Sequence, residues 1–484
     1  MSGLRWTAAT RLLAQVVTWA ATFIVVRHLS PGDYGLVAMA SIVSAYLELI
    51  GELGVGQALV QQRLLDTEKL RPVFGALLAA GVIMFVVAAS AAPIVMRVFN
   101  NRDLVGLSLL SALQFLLLPF GVIPSSKLSI ELRFKELGFI GVLTAVIGSI
   151  ATLALAYRGF GPYSLLVGTL LSTLSRLLYL NFLAPYLHRP QFSWKAVKKL
   201  VGFSAYVLGE RSIWYWYAQA DSIIIGYFMG ASSLGLFAIA KQLAVIPLEK
   251  FSQIVNTVAL PTFSAINDDD DRFLGALIKA FRIASVFAFP MFFGLAMVSQ
   301  EVVILLIGRK WQDAIPILQI LCVSMPLRLV ASISSPVAVA KGRPDVSMKL
   351  VMWCALWVPT GMVVGIRWGL EGLAIAWAVS YPIAFYFGMV SLSSAFSVRI
   401  SRMLVPILPP ALSAFFMALA LGLSAAVAPT AGNPVLGLLI KLPFGVLCYG
   451  IALRVLSKRM FNEAVEFMLS GTGLGKVGKK IGRQ

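Results

Sequence analysis

The segment Arg27-His-Leu-Ser-Pro-Gly-Asp-Tyr-Gly35 joins two long apolar stretches near the start of the chain. Its pattern returns later, where residues 229–238 take the place of residues 29–38. The matching pairs are Gly35 and Gly235, Leu36 and Leu236, Ala38 and Ala238, and Ala40 and Ala240. The repeat predicts a chain that is built from two similar halves.

The composition places nearly the whole chain in a membrane. Of 484 residues, 59% are hydrophobic and 13% are charged. Stretches of about 20 apolar residues follow one another, and each can cross a hydrocarbon core of about 30 Å as a helix. The first stretch, Trp6 to Val26, has no small-residue cleavage site, so we predict a retained span and not a signal peptide. No soluble domain is expected.

We predict an all-α, polytopic membrane protein with about 14 transmembrane helices. The predicted spans are residues 6–27, 36–59, 73–98, 104–124, 137–157, 160–183, 201–228, 234–262, 275–298, 314–338, 345–367, 370–393, 405–428 and 433–456. Lys and Arg residues are concentrated in alternate connections between these spans. Because basic connections stay in the cytoplasm, both termini are predicted to be cytoplasmic and the number of spans to be even. This distribution explains the net charge of +19 without nucleic acid as a partner.

A second pair of segments extends the repeat. Residues 160–165 before span six match residues 368–373 before span twelve. Spans one to six therefore correspond to spans seven to twelve, and two six-helix bundles with the same orientation are related by a pseudo-twofold axis along the membrane normal. Two further C-terminal helices are appended. Proteins of this construction usually transport a substrate between their halves.

The predicted domain boundaries follow from the repeat. Residues 1–200 form the N-terminal six-helix bundle and a linker, and residues 201–396 form the C-terminal bundle that repeats it. Residues 397–457 form the two appended helices, and residues 458–484 form a basic cytoplasmic tail. The linker residues 185–200 contain a tryptophan and several basic residues, which predict an amphipathic helix at the cytoplasmic membrane surface.

Polar stripes run along several predicted spans. Ionisable residues inside a membrane are costly, and they usually line a cavity or pair with each other. We expect the stripes to converge on a wet cleft between the halves. Its cationic side chains suit a pyrophosphate, which arginine grips with two hydrogen bonds. The candidate substrate-binding residues are Arg11, Arg176, Arg211, Lys241 and Arg328.

Carboxylates on the same stripes are candidates for coupling transport to an ion, because a carboxylate in a low dielectric can take up and release a proton. These candidates are Glu48, Glu52, Glu210 and Asp221. A structural interpretation stays open: Glu210 and Arg211 pair with neighbouring helices, and Glu48 and Glu52 form hydrogen bonds between helices. In the same structural interpretation, the side chains of Arg11, Lys250 and Lys441 extend to the membrane interface.

Several chemistries are absent from the sequence. Cys322, Cys354 and Cys448 lack metal-ligand spacing and are predicted to be small core residues. There is no P-loop, no Gly-x-Ser-x-Gly and no catalytic Cys–His pairing. We predict no enzyme, no metal site and no cofactor beyond a coupling cation, H⁺ or Na⁺.

Six segments carry a combination of motifs: residues 27–35, 51–60, 131–135, 221–226, 234–237 and 308–311. Among them are Arg-x-Leu-Ser-Pro-x-Asp-Tyr-Gly and Glu-Leu-Arg-Phe-Lys. Together the segments resemble the polysaccharide transporter (lipopolysaccharide/exopolysaccharide flippase) family of the multidrug/oligosaccharidyl-lipid/polysaccharide exporter superfamily, of the colanic-acid and succinoglycan exporter type. The combination of the two motifs is fairly specific for this branch.

The resemblance implies a flippase for undecaprenyl-pyrophosphate-linked oligosaccharide repeat units in the bacterial cell inner membrane. It implies alternating access of a cationic cavity, driven by an ion gradient or the membrane potential, in exopolysaccharide or lipopolysaccharide biosynthesis. The implied partners are the lipid-linked oligosaccharide, membrane lipid, a polysaccharide polymerase and a chain-length regulator. Positions that could carry the charges of related flippases are Arg11, Glu48, Glu52, Arg211, Asp221 and Lys241.

Rival functions belong mostly to the same superfamily. A multidrug/cation antiporter would need an acidic or apolar cavity, which the four cations Arg176, Arg211, Lys241 and Arg328 argue against. A peptidoglycan lipid II flippase differs only in the head group of its substrate. A membrane-embedded glycan polymerase or ligase usually has a large periplasmic loop with catalytic charges, and none is predicted here.

Overall fold

The computed structural model describes residues 2–51, 55–63, 66–186, 188–191, 205–266, 268–427 and 433–469. Within these ranges every regular element is a helix, so the predicted all-α class is confirmed. The helices up to the middle of the chain are α1 (Ser2–His28), α2 (Pro31–Gly51), α3 (Val55–Gln61), α4 (Thr67–Phe99), α5 (Asp103–Ala112), α6 (Gln114–Leu117), α7 (Pro119–Ile130), α8 (Phe134–Tyr157), α9 (Tyr163–Leu183) and α10 (Ala205–Ala218).

Helices continue to the end of the described chain. They are α11 (Ala220–Ser264), α12 (Asp270–Met297), α13 (Ser299–Leu306), α14 (Ala314–Ala331), α15 (Ser334–Ala340), α16 (Pro344–Gly365), α17 (Gly369–Ala395), α18 (Ile400–Leu404), α19 (Leu408–Val427), α20 (Pro434–Leu456) and α21 (Lys458–Leu469). Short 3₁₀ turns occur at Arg309–Trp311, Ile366–Trp368 and Val405–Ile407.

The described residues contain ten helical segments that are long and apolar enough to cross a membrane, or eleven if the bent pair within 103–130 is one span. The protein is therefore a multi-pass membrane protein. Two of these segments, Gly209–Ser252 and Pro344–Ala395, are 44 and 52 residues long. About 20 residues suffice for one crossing, and a glycine with positive φ interrupts each segment, at Gly230 and Gly369. The predicted number of fourteen spans stays a prediction.

The opening motif forms a helix start. The Asp33 carboxylate accepts hydrogen bonds from the Ser30 backbone N–H at 2.8 Å and from its hydroxyl at 2.7 Å. In return the Ser30 hydroxyl oxygen accepts from the Asp33 N–H at 3.2 Å. Pro31 takes the first helical position of α2, where its missing N–H removes no hydrogen bond. This reciprocal capping fixes the tight turn between α1 and α2.

The chain divides into two compact units, Met1–Tyr215 with Ser222–Gly235, and Trp216–Asp221 with Leu236–Gln484. In the first unit α8 packs against α1 and α9, and α4 packs against α2 and α5. In the second unit α16 packs along α17, while α14 packs against α12 and α17. The two appended helices α19 and α20 form a pair on α12. The predicted domain boundaries stay a prediction.

The linker after α9 has no regular secondary structure where the structure describes it. The Gln191 N–H donates to the Arg71 carbonyl at 3.2 Å, and Tyr186 packs in an apolar cluster with Phe74. Residues 192–204, which hold most of the predicted amphipathic helix, lie outside the described residues. The described part of the linker is therefore attached to α4.

Candidate functional site

An ion pair between Asp221 and Lys241 is the best-defined charged contact among the predicted site residues. Asp221 begins α11 and is 1% exposed, and its carboxylate accepts from the Lys241 ammonium at 2.5 Å. Twenty residues of straight helix would separate these positions by about 30 Å. The break at Gly230 (φ 80°, ψ −177°) therefore lets the chain reverse and bring them together. Lys241 also donates to the Ala218 carbonyl at 2.7 Å.

The Arg328 guanidinium lies over two aromatic rings of α17. Its central carbon is 4.8 Å from the ring centre of Trp377 and 5.8 Å from that of Tyr381. Residues 377 and 381 are one helical turn apart and share a face of α17. Both rings are buried, so they provide a fixed apolar support for the cation. Cation–π contacts of this kind stabilise a partly desolvated charge.

Trp377 joins the two cations into one site. The Lys241 ammonium lies 5.8 Å from the same ring centre that Arg328 contacts. We call Asp221, Lys241, Arg328, Trp377 and Tyr381 the cation cluster. All five belong to the second unit.

Hydrogen-bond donors outnumber acceptors in the cation cluster. Among the described residues, the Arg328 guanidinium contacts the Met325 sulfur in addition to the two rings, at a long distance of 3.7 Å. The buried indole N–H of Trp377 also has no acceptor among those residues. A buried donor without an acceptor is costly, and a charged one more so. The cluster therefore favours an incoming group that carries acceptors and negative charge.

Tyr217 and Cys354 lie beside the cluster. The Tyr217 hydroxyl and the Cys354 thiol contact each other, and both lie close enough to Arg328 for its charge to affect them. Tyr217 belongs to the aromatic run Trp214-Tyr215-Trp216-Tyr217. Of the three cysteines that were predicted to be core residues, Cys322 is buried, whereas Cys354 and Cys448 are only partly buried.

The structure brings together three of the nine predicted site residues: Asp221, Lys241 and Arg328. Arg176 lies on α9 with an exposed side chain, and Arg211 and Glu210 lie half-buried on α10. Glu48 is exposed on α2. The side chain of Arg11 on α1 and the whole of Glu52 fall outside the described residues.

Two parts of the site were missed by sequence reasoning. Trp377 and Tyr381 carry the contact to Arg328, yet in the sequence they are two of many aromatic residues in apolar helices. Their spacing of one helical turn is the signal that could have found them. Lys241 and Asp221 were assigned opposite roles, substrate binding and ion coupling, whereas the structure pairs them directly.

The position of the Lys441 side chain differs from the one that we expected. We expected its side chain to extend to the membrane interface, but it pairs with the buried Glu301 at 2.5 Å. The pair joins the appended helix α20 to α13. Gly437, one helical turn before Lys441, leaves room for the carboxylate.

The first unit holds a neutral polar contact between α2 and α10. The Tyr46 hydroxyl donates to the Ser212 hydroxyl at 3.2 Å, and the Tyr46 and Tyr215 rings lie 5.3 Å apart. Tyr215 in turn donates to the Ile42 carbonyl. These contacts fix α10 next to the helix that carries Glu48.

A family model described as "Polysaccharide biosynthesis protein" matches residues 24–316, which is more than half of the chain. The chain belongs to this family. The matched residues include the opening motif, its repeat, and the Asp221–Lys241 pair. The resemblance that the motifs indicated is thereby confirmed at the level of the family.

Relatives named for surface polysaccharides cover most of the chain. The succinoglycan biosynthesis transport protein ExoT of Rhizobium meliloti is 30% identical over 71% of this chain and 70% of its own length. The lipopolysaccharide biosynthesis protein WzxC of Escherichia coli is 25% identical over 81% and 80%. The teichuronic acid biosynthesis protein TuaB of Bacillus subtilis is 25% identical over 93% and 94%.

Solved structures share the fold. The lipid II flippase MurJ in an inward closed conformation superposes with a TM-score of 0.72, at 14% identity, over 93% of this chain and 98% of its own. An inward-facing multidrug resistance MATE family transporter of the MOP superfamily superposes with a TM-score of 0.62, at 19% identity, over 79% and 94%. At these identities the likeness shows the fold alone.

Proposed function

We propose that this protein is a flippase for undecaprenyl-pyrophosphate-linked oligosaccharide repeat units in the bacterial inner membrane. The family match and the relative named as a succinoglycan transport protein support transport in polysaccharide biosynthesis. A further relative, AglR of Haloferax volcanii, is named a probable flippase and is 22% identical over 93% of this chain and 94% of its own length. The protein therefore moves a lipid-linked glycan and makes no glycosidic bond.

The observation that carries the proposal is the excess of donors in the cation cluster. Arg328 contacts aromatic rings, and no described carboxylate pairs with it. A cation in a membrane helix without a counter-ion favours binding of an anion. Arginine binds phosphate oxygens in pairs, so the pyrophosphate that links the lipid to the sugars is the part of the substrate that Arg328 would hold.

The cycle follows from the chemistry of the substrate. The oligosaccharide head crosses through a polar cleft while the prenyl chain stays in the lipid, because neither part can be transferred into the other's solvent at low cost. Arg11, Arg176 and Arg211 are further candidates to contact the head group. Both termini are cytoplasmic in this proposal. A polysaccharide polymerase and a chain-length regulator would use the exported units.

The return step is proposed to use a monovalent cation, H⁺ or Na⁺, or the membrane potential. Asp221 is the carboxylate with the clearest structural context, because it is buried and contacts a substrate-binding candidate. Glu48, Glu52 and Glu210 are the remaining candidates. A carboxylate in such a place can exchange a cation when its partner moves.

Two alternative functions, a multidrug antiporter and a lipid II flippase, require different substrate sites. A multidrug antiporter binds cationic drugs, which Arg328 and Lys241 would repel. A lipid II flippase carries the same pyrophosphate with a peptidoglycan head, so it differs only in the polar part of the substrate. The likeness to MurJ is one of fold, and the relatives named for other polysaccharides favour the oligosaccharide substrate.

The test uses the native host with the gene deleted. We expect completed prenyl-linked repeat units to accumulate on the cytoplasmic face and surface polysaccharide to be lost. Complementation with the wild-type gene should restore surface polysaccharide and remove the accumulated prenyl-linked repeat units. Complementation with the Arg328→Ala variant should do neither. Arg367→Ala, an exposed arginine of the same unit, serves as the matched control and restores export.

Three outcomes would contradict the proposal. Unchanged polysaccharide together with sensitivity to cationic drugs would indicate an antiporter. Cell lysis with accumulated peptidoglycan precursor would indicate a lipid II flippase. Full complementation by the Arg328→Ala variant would show that the cation cluster is not needed for transport.

A further inference from the structure

We propose that Lys241 is an exchangeable cation, which Asp221 holds in the empty protein and the second phosphate of the pyrophosphate takes over when substrate binds. Asp221 thereby competes with the substrate, and this competition allows the substrate to leave. The inference rests on the proposed function. It adds a rule of specificity, since a lipid-linked pyrophosphate recruits Lys241 and a lipid-linked monophosphate does not.

The two partners of the ion pair differ in their freedom to move. The Asp221 side chain is 1% exposed, whereas the Lys241 side chain is 22% exposed. A carboxylate on a short side chain stays where its helix places it. The ammonium of lysine is a compact charge on a flexible four-carbon stem and keeps three donors available in different directions. Lys241 is therefore the member of the pair that can change partner.

Lys241 and Arg328 have an aromatic neighbour in common. The ammonium nitrogen lies 5.8 Å and the guanidinium carbon 4.8 Å from the centre of the same Trp377 ring. Their separation is at most the sum of these two distances, and the lysine stem allows the ammonium to shorten it. A pyrophosphate has acceptor oxygens on two neighbouring phosphorus atoms, so its two ends can contact both cations.

Within the part of the chain that the structure describes, the cation cluster contains two cations and one carboxylate. Asp221 neutralises Lys241, while Arg328 has no carboxylate partner among the described residues. A lipid-linked phosphodiester carries one negative charge, which Arg328 alone can balance. A lipid-linked pyrophosphate diester carries two, and balancing the second one requires Lys241.

The free energies of Lys241 paired with Asp221 and of Lys241 paired with a phosphate are expected to differ little. A buried ion pair gains attraction and loses hydration in similar amounts, so replacing one anionic partner of Lys241 by another need not cost much. Substrate that binds too tightly would not be released on the far side of the membrane, and conduction of any ligand requires sites from which it can leave. When the pyrophosphate departs, the Asp221–Lys241 pair re-forms and favours release.

The test measures binding to the purified full chain in lipid nanodiscs. The probes are undecaprenyl-pyrophosphate glucose and undecaprenyl-phosphate glucose, which differ by one phosphate. In the wild type we expect the pyrophosphate probe to bind about tenfold more tightly, as one added charge-assisted contact gives. Asp221→Asn removes the competitor at unchanged size and is expected to tighten binding of the pyrophosphate probe by about fivefold or more. Lys241→Gln is expected to abolish the preference for the pyrophosphate.

A matched control comes from the same unit. Glu301 and Lys441 form a second pair with the same 2.5 Å separation and a buried acid, on helices α13 and α20. No arginine is recorded in contact with this pair among the described residues. Glu301→Gln should leave the affinity for both probes unchanged. Thermal unfolding of each variant shows whether an altered affinity reflects loss of the fold.

The outcomes separate the inference from the proposed function. If Asp221→Asn binds the pyrophosphate probe no more tightly than Glu301→Gln does, with a normal unfolding temperature, the exchange of Lys241 is wrong. If Lys241→Gln keeps the preference for pyrophosphate, the rule of specificity is wrong. If Arg328→Gln binds both probes like the wild type, the cation cluster is not the substrate site, and the proposed function loses its structural support.

Discussion

Gly35 and Gly235, the matched glycines of the two repeats, each leave room for the backbone of the other's helix. A Cβ atom on Gly35 would overlap the backbone carbonyl of Ala231, and a Cβ atom on Gly235 would overlap that of Pro31. Each glycine therefore contacts the residue four positions before its counterpart. Such reciprocity is a property of elements related by a local twofold axis, here the short segments around Gly35 and Gly235, which both belong to the first unit.

Gly35→Ala is predicted to destabilise the protein by about 1–3 kcal/mol, the range for forcing an extra methyl group into close packing. The atom in the way is a backbone carbonyl, which cannot rotate away as a side chain can. The measurement is the thermal unfolding of the purified protein in detergent, together with its yield in membranes. Gly235→Ala should behave in the same way.

Gly141→Ala is the control for this prediction. Gly141 lies in α8, and a Cβ atom there meets nothing within 4 Å. Alanine stabilises a helix interior relative to glycine by about 1 kcal/mol, so this variant should be at least as stable as the wild type. If alanine changes the unfolding temperature equally at positions 35 and 141, the close contact between Gly35 and the Ala231 backbone does not contribute to stability.

Arg328→Lys is predicted to support less export than the wild type and more than Arg328→Ala. Lysine keeps the charge, but it loses the planar guanidinium that lies over Trp377 and that has the geometry to bind two phosphate oxygens at once. The measurement is surface polysaccharide in the complemented deletion strain. Export by Arg328→Lys at the wild-type level would show that charge alone is needed.

Trp377→Leu is predicted to weaken pyrophosphate binding, since it removes the ring that supports Arg328 and lies beside Lys241. The loss of one partly buried cation–π contact corresponds to about 0.5–2 kcal/mol. Tyr386→Leu, an exposed aromatic residue on the same helix, is the control and should bind normally. A Trp377→Leu variant with unchanged affinity would contradict the role of the ring.

Lys441→Ala is predicted to lower the free energy of unfolding by up to about 3–5 kcal/mol, because it leaves the buried Glu301 carboxylate without its cation. The double variant Glu301→Leu/Lys441→Leu removes both charges and should recover most of the loss. Thermal unfolding of the two variants and the wild type measures the difference. A double variant as unstable as the single one would show that the pair itself, and not the unpaired charge, determines stability.

Glu463→Ala is predicted to loosen the amphipathic helix α21 from α12. The Glu463 carboxylate lies 2.8 Å from the Arg282 guanidinium and 3.2 Å from that of Arg459. The same helix contacts α12 through Phe467, whose ring centre is 5.4 Å from that of Phe287. Hydrogen exchange of residues 458–469 should become faster. Glu466→Ala, an exposed position on the same helix, should leave the exchange unchanged.

Much of the fold could be predicted from the sequence because a bilayer restricts the choices. Apolar stretches of sufficient length must be helices, since backbone groups have no other partners in hydrocarbon. The predicted break between residues 228 and 234 coincides with the helix break at Gly230. The connection between spans eleven and twelve coincides with the turn at Ile366–Trp368.

The site could be predicted only in part. Polar periodicity within one helix identified Lys241, Arg328 and Asp221 as residues on polar faces. It could not show that Lys241 contacts Asp221, that Arg328 lies over Trp377, or that Lys441 meets Glu301. The Asp221–Lys241 contact depends on the reversal of the chain at Gly230, and the other two contacts join helices that are distant in the chain.

The sequence by itself determined that the chain is a multi-pass protein of apolar helices and that the pattern around Gly35 recurs around Gly235. It also determined which charged residue types occur in the apolar segments. These properties depend on local composition and on spacing along one helix. The tertiary structure decided which charges neutralise each other and which cation lies over aromatic rings. A lysine in an apolar helix can extend to the interface or pair with an acid, and only the packing of helices brings the acid within reach.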